Sequence, residues 1–201
     1  EKEGAIVLGK TNVPEMLLYL ETDNPIYGKT LNPWDLDRTP GGSSGGEGAN
    51  IAAGGAQFGL GSDIGGSIRV PAHYCGIHGF KPTSRRLTTK GSVGDWMAPG
   101  QEAIVDQPGP LARHVDDIML AMEIMLEAQG TQFDDVWTPP VPFEIPAELP
   151  KNLRVGMFVD DGFFPTSLGC QRAVEDAGRA LQSVGVEVVS FQPPHIHDAM
   201  K

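Results

Sequence analysis

Short apolar runs separated by glycine turns predict alternating strands and helices in the first half of the chain. Residues 5–8 form an apolar run that predicts a strand, and residues 16–20, which follow Pro14, predict a short helix. Further along, residues 49–53 can be helical and residues 56–60 predict a buried strand. Residues 21–40 and 82–110 lack periodicity and predict irregular connections.

The second half has clearer periodicity. Apolar side chains recur at helical spacing between residues 115 and 126, with acidic residues on the opposite side, which predicts an amphipathic helix. Five prolines between residues 139 and 150 exclude a helix or a central strand there. Beyond them, residues 153–159, 173–184 and 186–191 predict a strand, a helix and a strand. Such a unit is expected to be parallel and right-handed.

These elements predict an α/β fold with a mixed, largely parallel sheet flanked by helices on both faces. The chain begins at Glu1 without a methionine and ends shortly after a predicted strand, so we expect it to be a fragment of a longer protein.

Charge and cysteine content restrict the possible partners and compartment. The formal net charge of −11 gives no electrostatic basis for binding phosphate backbones, so no nucleic-acid partner is expected. Cys75 and Cys170 are far apart in sequence and lack metal-ligand spacing, which favours a reducing compartment, with cytoplasm as the expectation. No transmembrane segment is expected in these residues.

Two glycine turns carry the candidate chemistry. Each contains a serine, Ser43 in residues 41–46 and Ser67 in residues 63–69, and the two serines are 24 positions apart. A helix and a returning strand of that combined length can bring the turns together. Acyl transfer needs a hydroxyl nucleophile, a proton path and N–H donors for an oxyanion, all of which such turns can supply. The alternative is that Asp63 and Ser67 only cap a helix beginning at Ile68, and spacing leaves both interpretations open.

Two further segments match known functional motifs by sequence, but the predicted secondary structure around them does not fit those motifs. Residues 4–11 match the phosphate-binding pattern G-x-x-x-x-G-K-[ST], but their middle four residues form the predicted strand instead of an exposed loop. Residues 42–46 match G-x-S-x-G, which would make Ser44 a nucleophile, yet the preceding proline-containing segment is not a strand. A nucleotide-binding module at Gly4 to Thr11 therefore stays a minor alternative.

Several motifs in order strongly resemble the amidase signature family over about residues 4–128. They lie at residues 9–15, 32–34, 41–48, 61–69, 71–72, 75–76, 79–83 and 109–113. Within the family, the glutamate after the serines and the Asp63-Ile64 pair are most similar to the fatty acid amide hydrolase-like branch. The resemblance implies one partial amidase domain: residues 1–128 as the catalytic core, 129–152 as a proline-rich connection, and 153–201 as a β-α-β unit continuing it.

The resemblance also implies a Ser-Ser-Lys mechanism. Ser67 matches the nucleophile, and Ser43 matches the bridging serine that follows a cis non-proline peptide bond. The implied oxyanion hole consists of the backbone N–H groups of Ile64, Gly65, Gly66 and Ser67. The implied supporting residues are Ser44, Asp63 and Arg69.

The family's general base is a lysine well upstream of the first glycine turn, and Lys10 belongs to a different motif. The resemblance therefore implies that the full protein hydrolyses amides to a carboxylic acid plus ammonia or an amine, whereas these residues alone are inactive. Apolar acyl amides are the implied substrates, a homodimer is left open, and no cofactor is expected. The alternative within the family is the A subunit of a glutamine-dependent tRNA amidotransferase.

No metal is expected either. His73, His78 and His114 lack ligand spacing, and His195 and His197 are expected to be solvated rather than metal-bound.

Overall fold

The structure is a computed structural model that describes residues 3–92, 104–130, 135, 137–146, 152–194 and 196–199, with the backbone alone at 129, 130, 197 and 199. The chain divides into two compact units, Glu1–Phe143 and Glu144–Lys201. The boundary falls inside the proline-rich connection that the sequence predicts. That both units continue one domain stays a prediction.

The first unit contains short strands interleaved with helices. In chain order the elements are β1 (Asp23–Asn24), β2 (Gly28–Lys29), α1 (Gly45–Ala52), β3 (Phe58–Asp63), α2 (Arg69–Cys75), β4 (His78–Gly79), β5 (Gln107–Ala112) and α3 (Val115–Gly130). Strands β1 and β2 form a hairpin. Strand β5 lies between β3 and β4 in a three-stranded antiparallel sheet, with Phe58 opposite Ala112 and Asp63 opposite Gln107.

The second unit is the predicted β-α-β unit. Strand β6 (Arg154–Met157) and strand β7 (Glu187–Ser190) pair in parallel, connected by α4 (Leu168–Ser183), and α5 (Ile196–Ala199) follows. A Cβ on Gly178 would lie 2.4 Å from the Met157 sulfur, so glycine lets α4 approach the sheet closely. The α/β class is confirmed. The expectation of a largely parallel sheet is wrong for the described residues, because only the β6–β7 pair is parallel.

The predicted irregular connection over residues 82–110 is wrong at its end, because strand β5 begins at Gln107. Its two prolines, Pro108 and Pro110, alternate with residues that face β3. The carbonyl of Pro110 accepts a hydrogen bond from Phe80 N–H, so the proline peptide groups face the side of the two-residue strand β4. Their missing N–H groups therefore cost the β3–β5 ladder nothing.

Two predictions near the N-terminus are wrong. Residues 5–8 are exposed and not in a strand, because no described strand supplies a hydrogen-bonding partner. In place of the predicted helix at residues 16–20 there is a single 3₁₀ turn, Glu15–Leu17, in which Met16 and Leu17 have positive φ angles of 54° and 61°. A regular helix cannot continue through left-handed residues.

The core of the first unit lies between α1, α2 and β5. Ile51, Ile68 and Leu111 are fully buried and pack together. Helix α3 confirms the predicted periodicity, since Ile118, Ala121 and Met122 are buried. Of the helices in the described ranges, none has both the length and the apolar character required to cross a membrane.

Candidate functional site

The first glycine turn is enclosed by neighbouring backbone. The peptide bond between Gly42 and Ser43 is cis, as the resemblance implies. Thr22 is buried and donates a hydrogen bond from Oγ1 to the Gly41 carbonyl oxygen at 2.8 Å. A Cβ on Gly42 would lie 2.6 Å from the carbonyl oxygen of Tyr19, so only glycine fits at this position. Helix α1 starts two residues after Ser43.

Asp63 organises the second glycine turn. Its carboxylate is fully buried and accepts hydrogen bonds from the N–H groups of Gly66 at 2.8 Å, Ile68 at 3.0 Å and Arg69 at 3.2 Å. The Arg69 guanidinium adds two further hydrogen bonds, at 3.0 and 2.8 Å. Burial acts to raise the pKa of Asp63, but the Arg69 side chain and the three N–H donors outweigh burial and lower it to about 2.

The two turns meet at the start of α1. The backbone N–H of Ser44 donates a hydrogen bond to the Ser67 carbonyl oxygen at 3.1 Å. A Cβ on Gly41 would lie 3.1 Å from the backbone nitrogen of Pro71 in α2, so the segments are also packed tightly. Ser43 is 3% exposed and Ser67 is 8% exposed. The sequence-based expectation that the turns come together is met.

The hydroxyls of Ser43 and Ser67 form no hydrogen bond to any described residue, including each other. Neither hydroxyl is therefore committed to a structural contact within this part of the molecule. The same holds for the backbone N–H groups of Ile64, Gly65 and Ser67, for which the described residues supply no acceptor. Gly66, the fourth donor of the implied set, differs from these three, because its N–H donates a hydrogen bond to the Asp63 carboxylate at 2.8 Å.

The helix-capping interpretation of this turn is half right. Helix α2 begins at Arg69, and the Asp63 carboxylate accepts hydrogen bonds from the N–H groups at its start. The Ser67 side chain makes no such contact. Capping thus explains Asp63 and leaves the Ser67 hydroxyl without a structural role among the described residues.

Neither the phosphate-binding pattern at residues 4–11 nor the G-x-S-x-G pattern at residues 42–46 has the local structure that its motif requires. Residues 4–10 are exposed, and neither a strand before them nor a helix directly after Thr11 is present in the described chain, so they form no phosphate cradle. Lys10 is exposed, away from any hydrogen-bond partner in the described residues. Ser44 is buried beside Gly61 and does not follow a strand, which removes the nucleophile-elbow geometry.

Four side chains near the turns had no role assigned from the sequence. Besides Thr22, they are Asn32, Glu47 and Asp106. Asn32 lies in a motif that the resemblance identifies, whereas Thr22 and Asp106 offer no signal apart from their positions. Burial raises the pKa of Asp106; a hydrogen bond with Ser62 opposes that shift, and the nearby Asp63 charge adds to it.

Metal binding finds no support in the described chain. No three His, Cys, Asp or Glu side chains there are grouped so that they could hold an ion. His73, His78 and His114 are exposed. His195 and the side chain of His197 lie outside the described residues, so the expectation that they are solvated stays a prediction.

Comparison with known proteins agrees with the site. The family described as Amidase matches residues 1–201. Fatty-acid amide hydrolase 1 of Sus scrofa is 40% identical over 201 residues, covering 99% of this chain and 34% of that protein. The A subunit of the glutamyl-tRNA(Gln) amidotransferase from Methanosarcina acetivorans is 36% identical over 214 residues, covering 98% and 40%.

A solved structure of a fatty acid amide hydrolase superposes with a TM-score of 0.84 and 37% identity, covering 94% of this chain and 33% of that one. The chain thus spans about a third to two-fifths of the length of these relatives. With a family match over its whole length and two glycine turns that meet at Ser44 and Ser67, this chain belongs to the amidase signature family.

Proposed function

We propose that the full-length protein hydrolyses amide bonds through an acyl-enzyme. The observation that carries the proposal is the hydrogen bond between Ser44 N–H and the Ser67 carbonyl oxygen, which joins the two serine turns. Family membership supports amide chemistry, and the uncommitted Ser43 and Ser67 hydroxyls support a role beyond structure.

In the proposed reaction, Ser67 Oγ bonds to the amide carbonyl carbon while its proton passes to Ser43. Ser43 in turn gives its proton to a lysine outside this chain, which must be neutral to accept it. The C–N bond then breaks, and the leaving nitrogen takes up the proton and departs as ammonia or an amine. Water attacks the acyl-Ser67 ester, releasing a carboxylic acid and restoring the Ser67 hydroxyl.

The negative charge on the tetrahedral intermediate needs preorganised donors. We assign that role to the backbone N–H groups of Ile64, Gly65 and Ser67, since Gly66 N–H is used by Asp63. Asp63 and Arg69 support the turn that aims these groups, and Ser44 supports the junction through its backbone. Loss of one oxyanion donor typically costs a hundred- to a thousandfold in rate, about 3–4 kcal/mol.

The proposed substrates are amides of apolar acids. Near the first serine turn, the chain at Tyr19 and Leu20 lies against Gly42, and both side chains are more than half exposed, at 65% and 52%. Ile64, at 46% exposed, adds an apolar side chain on the second turn. Similarity to fatty-acid amide hydrolase 1 agrees with this class.

The A component of an amidotransferase is the second candidate, supported by the relative from Methanosarcina acetivorans. It would use the same serines to release ammonia from glutamine and would need partner proteins. For the hydrolase, we leave a homodimer as an open oligomeric state. The free thiols of Cys75 and Cys170 support a reducing compartment, which for this proposal is the cytoplasm.

The test is to label the full-length protein with a serine-directed fluorophosphonate and to measure turnover of a fatty acid amide and of glutamine. We expect labelling at Ser67, with label and turnover abolished in Ser67→Ala. Ser43→Ala should lower kcat by at least about a hundredfold, because the proton relay is lost. Label on Ser44, or full activity in Ser67→Ala, would overturn the proposal, while glutamine turnover alone would favour the amidotransferase.

The same turnover measurement on residues 1–201 alone tests whether the general base lies outside this part of the protein. We expect no turnover from this part of the protein, because the implied general base is a lysine outside it. Turnover equal to that of the full-length protein would contradict the assignment of the general base.

A further inference from the structure

The side chain of Asn32 connects the two segments that carry the serines. Asn32 is 5% exposed, and its Nδ2 donates hydrogen bonds to the carbonyl oxygens of Tyr74 at 2.9 Å and Thr39 at 3.3 Å. Thr39 lies four residues before Ser43, and Tyr74 lies in the last turn of α2, the helix that follows Ser67. One amide group therefore bridges both segments.

Trp34 completes the contact at the end of α2. Its Nε1 donates to the Cys75 carbonyl oxygen at 2.7 Å, and its backbone N–H donates to Asn32 Oδ1 at 3.0 Å. The last carbonyl groups of a helix have no partner within the helix. Because Trp34 is 73% exposed, its burial contributes little, and the indole N–H is the specific part of this contact.

Helix α2 is thereby held at both ends. At its start, Asp63 accepts hydrogen bonds from Ile68 and Arg69; at its end, Asn32 and Trp34 bind the Tyr74 and Cys75 carbonyls. A seven-residue helix is about 10 Å long and moves as one rigid piece. A shift at its C-terminal end must therefore appear at its N-terminal end, next to Ser67.

We propose that Asn32 and Trp34 are positioning residues that set the separation of the Ser43 and Ser67 turns, an inference that rests on the proposed function. They touch neither substrate nor reacting atoms. Their loss changes the geometry of proton transfer and acylation, so it lowers kcat while substrate binding is retained. A misplacement of about 1 Å can cost about a hundredfold in rate.

The test uses the full-length protein and conservative variants. Trp34→Phe keeps an aromatic ring but removes the N–H donor together with one ring of the indole. Trp137→Phe is the matched control, because it makes the same change in ring size at another exposed tryptophan, and phenylalanine can keep the cation-π contact with Arg85. Asn32→Asp removes both donors in the same volume. Three quantities are measured: kcat and KM for a fatty acid amide, the rate of fluorophosphonate labelling, and Tm.

We expect Trp34→Phe to lower kcat and the labelling rate about tenfold with KM within twofold, and Asn32→Asp to lower both rates at least about a hundredfold. Trp137→Phe should keep wild-type rates. If Asn32→Asp does not fold, the comparison of Trp34→Phe with Trp137→Phe still tests the positioning role.

Equal rates for Trp34→Phe and Trp137→Phe, or a loss that only matches the unfolded fraction, would overturn the positioning role. The wild-type protein distinguishes failure of the positioning role from failure of the proposed function. If the wild type is labelled at Ser67 and is active, only the positioning role fails. If the wild type is not labelled at Ser67, the proposed function fails and the positioning role with it.

Discussion

The backbone N–H of Ser44 lies 3.1 Å from the carbonyl oxygen of Ser67 and donates a hydrogen bond to it. This bond joins the residue before α1 to a residue two positions before α2, so the first turns of two short helices share one junction. Since helix α1 and strand β3 separate the two serines in sequence, the junction depends on how both elements return the chain.

Ionisation of Asp63 should make the free energy of unfolding decrease at acid pH. Its folded pKa of about 2 lies below the ordinary value of 3.8 because of Arg69 and three N–H donors, despite burial. A lowered carboxyl pKa stabilises the fold above the unfolded pKa, and this contribution is lost as the pH falls from about 4 to 2. At 1.36 kcal/mol per pKa unit, this contribution is on the order of 2–3 kcal/mol.

The check is to measure the free energy of unfolding from pH 6 to pH 2 for wild type and Asp63→Asn. The variant should be less stable at pH 6 by about 2 kcal/mol, because an amide replaces the buried carboxylate that accepts hydrogen bonds from three backbone N–H groups and from the half-exposed Arg69 guanidinium. It should also show a shallower dependence of stability on pH. Identical slopes for the two proteins would show that Asp63 titrates normally.

The contribution of Glu47 to stability should change with pH in the opposite direction to that of Asp63. Burial raises its pKa, even though Thr11 Oγ1 donates a hydrogen bond to Glu47 Oε2 at 2.7 Å and acts to lower it. A raised carboxyl pKa means that the protonated form favours the fold, so stability is lost as the pH rises through the folded pKa. Glu47→Gln removes the charge and keeps an oxygen that can accept from Thr11.

We therefore expect Glu47→Gln to be more stable than wild type at pH 7 and unchanged at pH 4, measured by denaturant unfolding. Glu123→Gln, at an exposed position on α3, serves as the control and should differ little from wild type at either pH. Lower stability of Glu47→Gln at pH 7 would mean that the charge has a partner that offsets its burial.

Gly42 should tolerate no side chain. A Cβ there would lie 2.6 Å from the Tyr19 carbonyl oxygen and 2.9 Å from Leu20 backbone carbon. Because backbone atoms cannot move aside as a side chain can, Gly42→Ala should lower the free energy of unfolding by about 1–3 kcal/mol. It should also lower kcat, because the displaced backbone adjoins Ser43.

Gly65→Ala is the comparison for this effect, since a Cβ at that position meets nothing within 4 Å. Thermal unfolding of the two variants should separate them, with Gly65→Ala close to wild type in Tm. Equal Tm values for Gly42→Ala and wild type would mean that residues 19–21 adapt readily, contrary to the packing described above.

Sequence periodicity was sufficient where an element is stabilised by contacts that its own pattern encodes. The spacing of Ile118 and Met122 predicted α3, and the apolar runs around α4 predicted a parallel β-α-β unit. The pattern failed for β5, because proline usually indicates a loop, and only the arrangement of neighbouring strands shows that Pro108 and Pro110 face away from β3. It also failed for residues 5–8, since an apolar run becomes a strand only when another strand pairs with it.

For the site, the sequence by itself determined the chemistry available: two glycine turns, each with a serine, and an aspartate and an arginine flanking the second. It also placed the chain by resemblance in its family. The tertiary structure alone decided that Ser44 meets Ser67, that Asp63 takes the Gly66 N–H, and that Asn32 bridges Thr39 and Tyr74. These contacts depend on where the intervening elements return the chain, because a hydrogen bond requires two groups within about 3 Å whatever their separation in sequence.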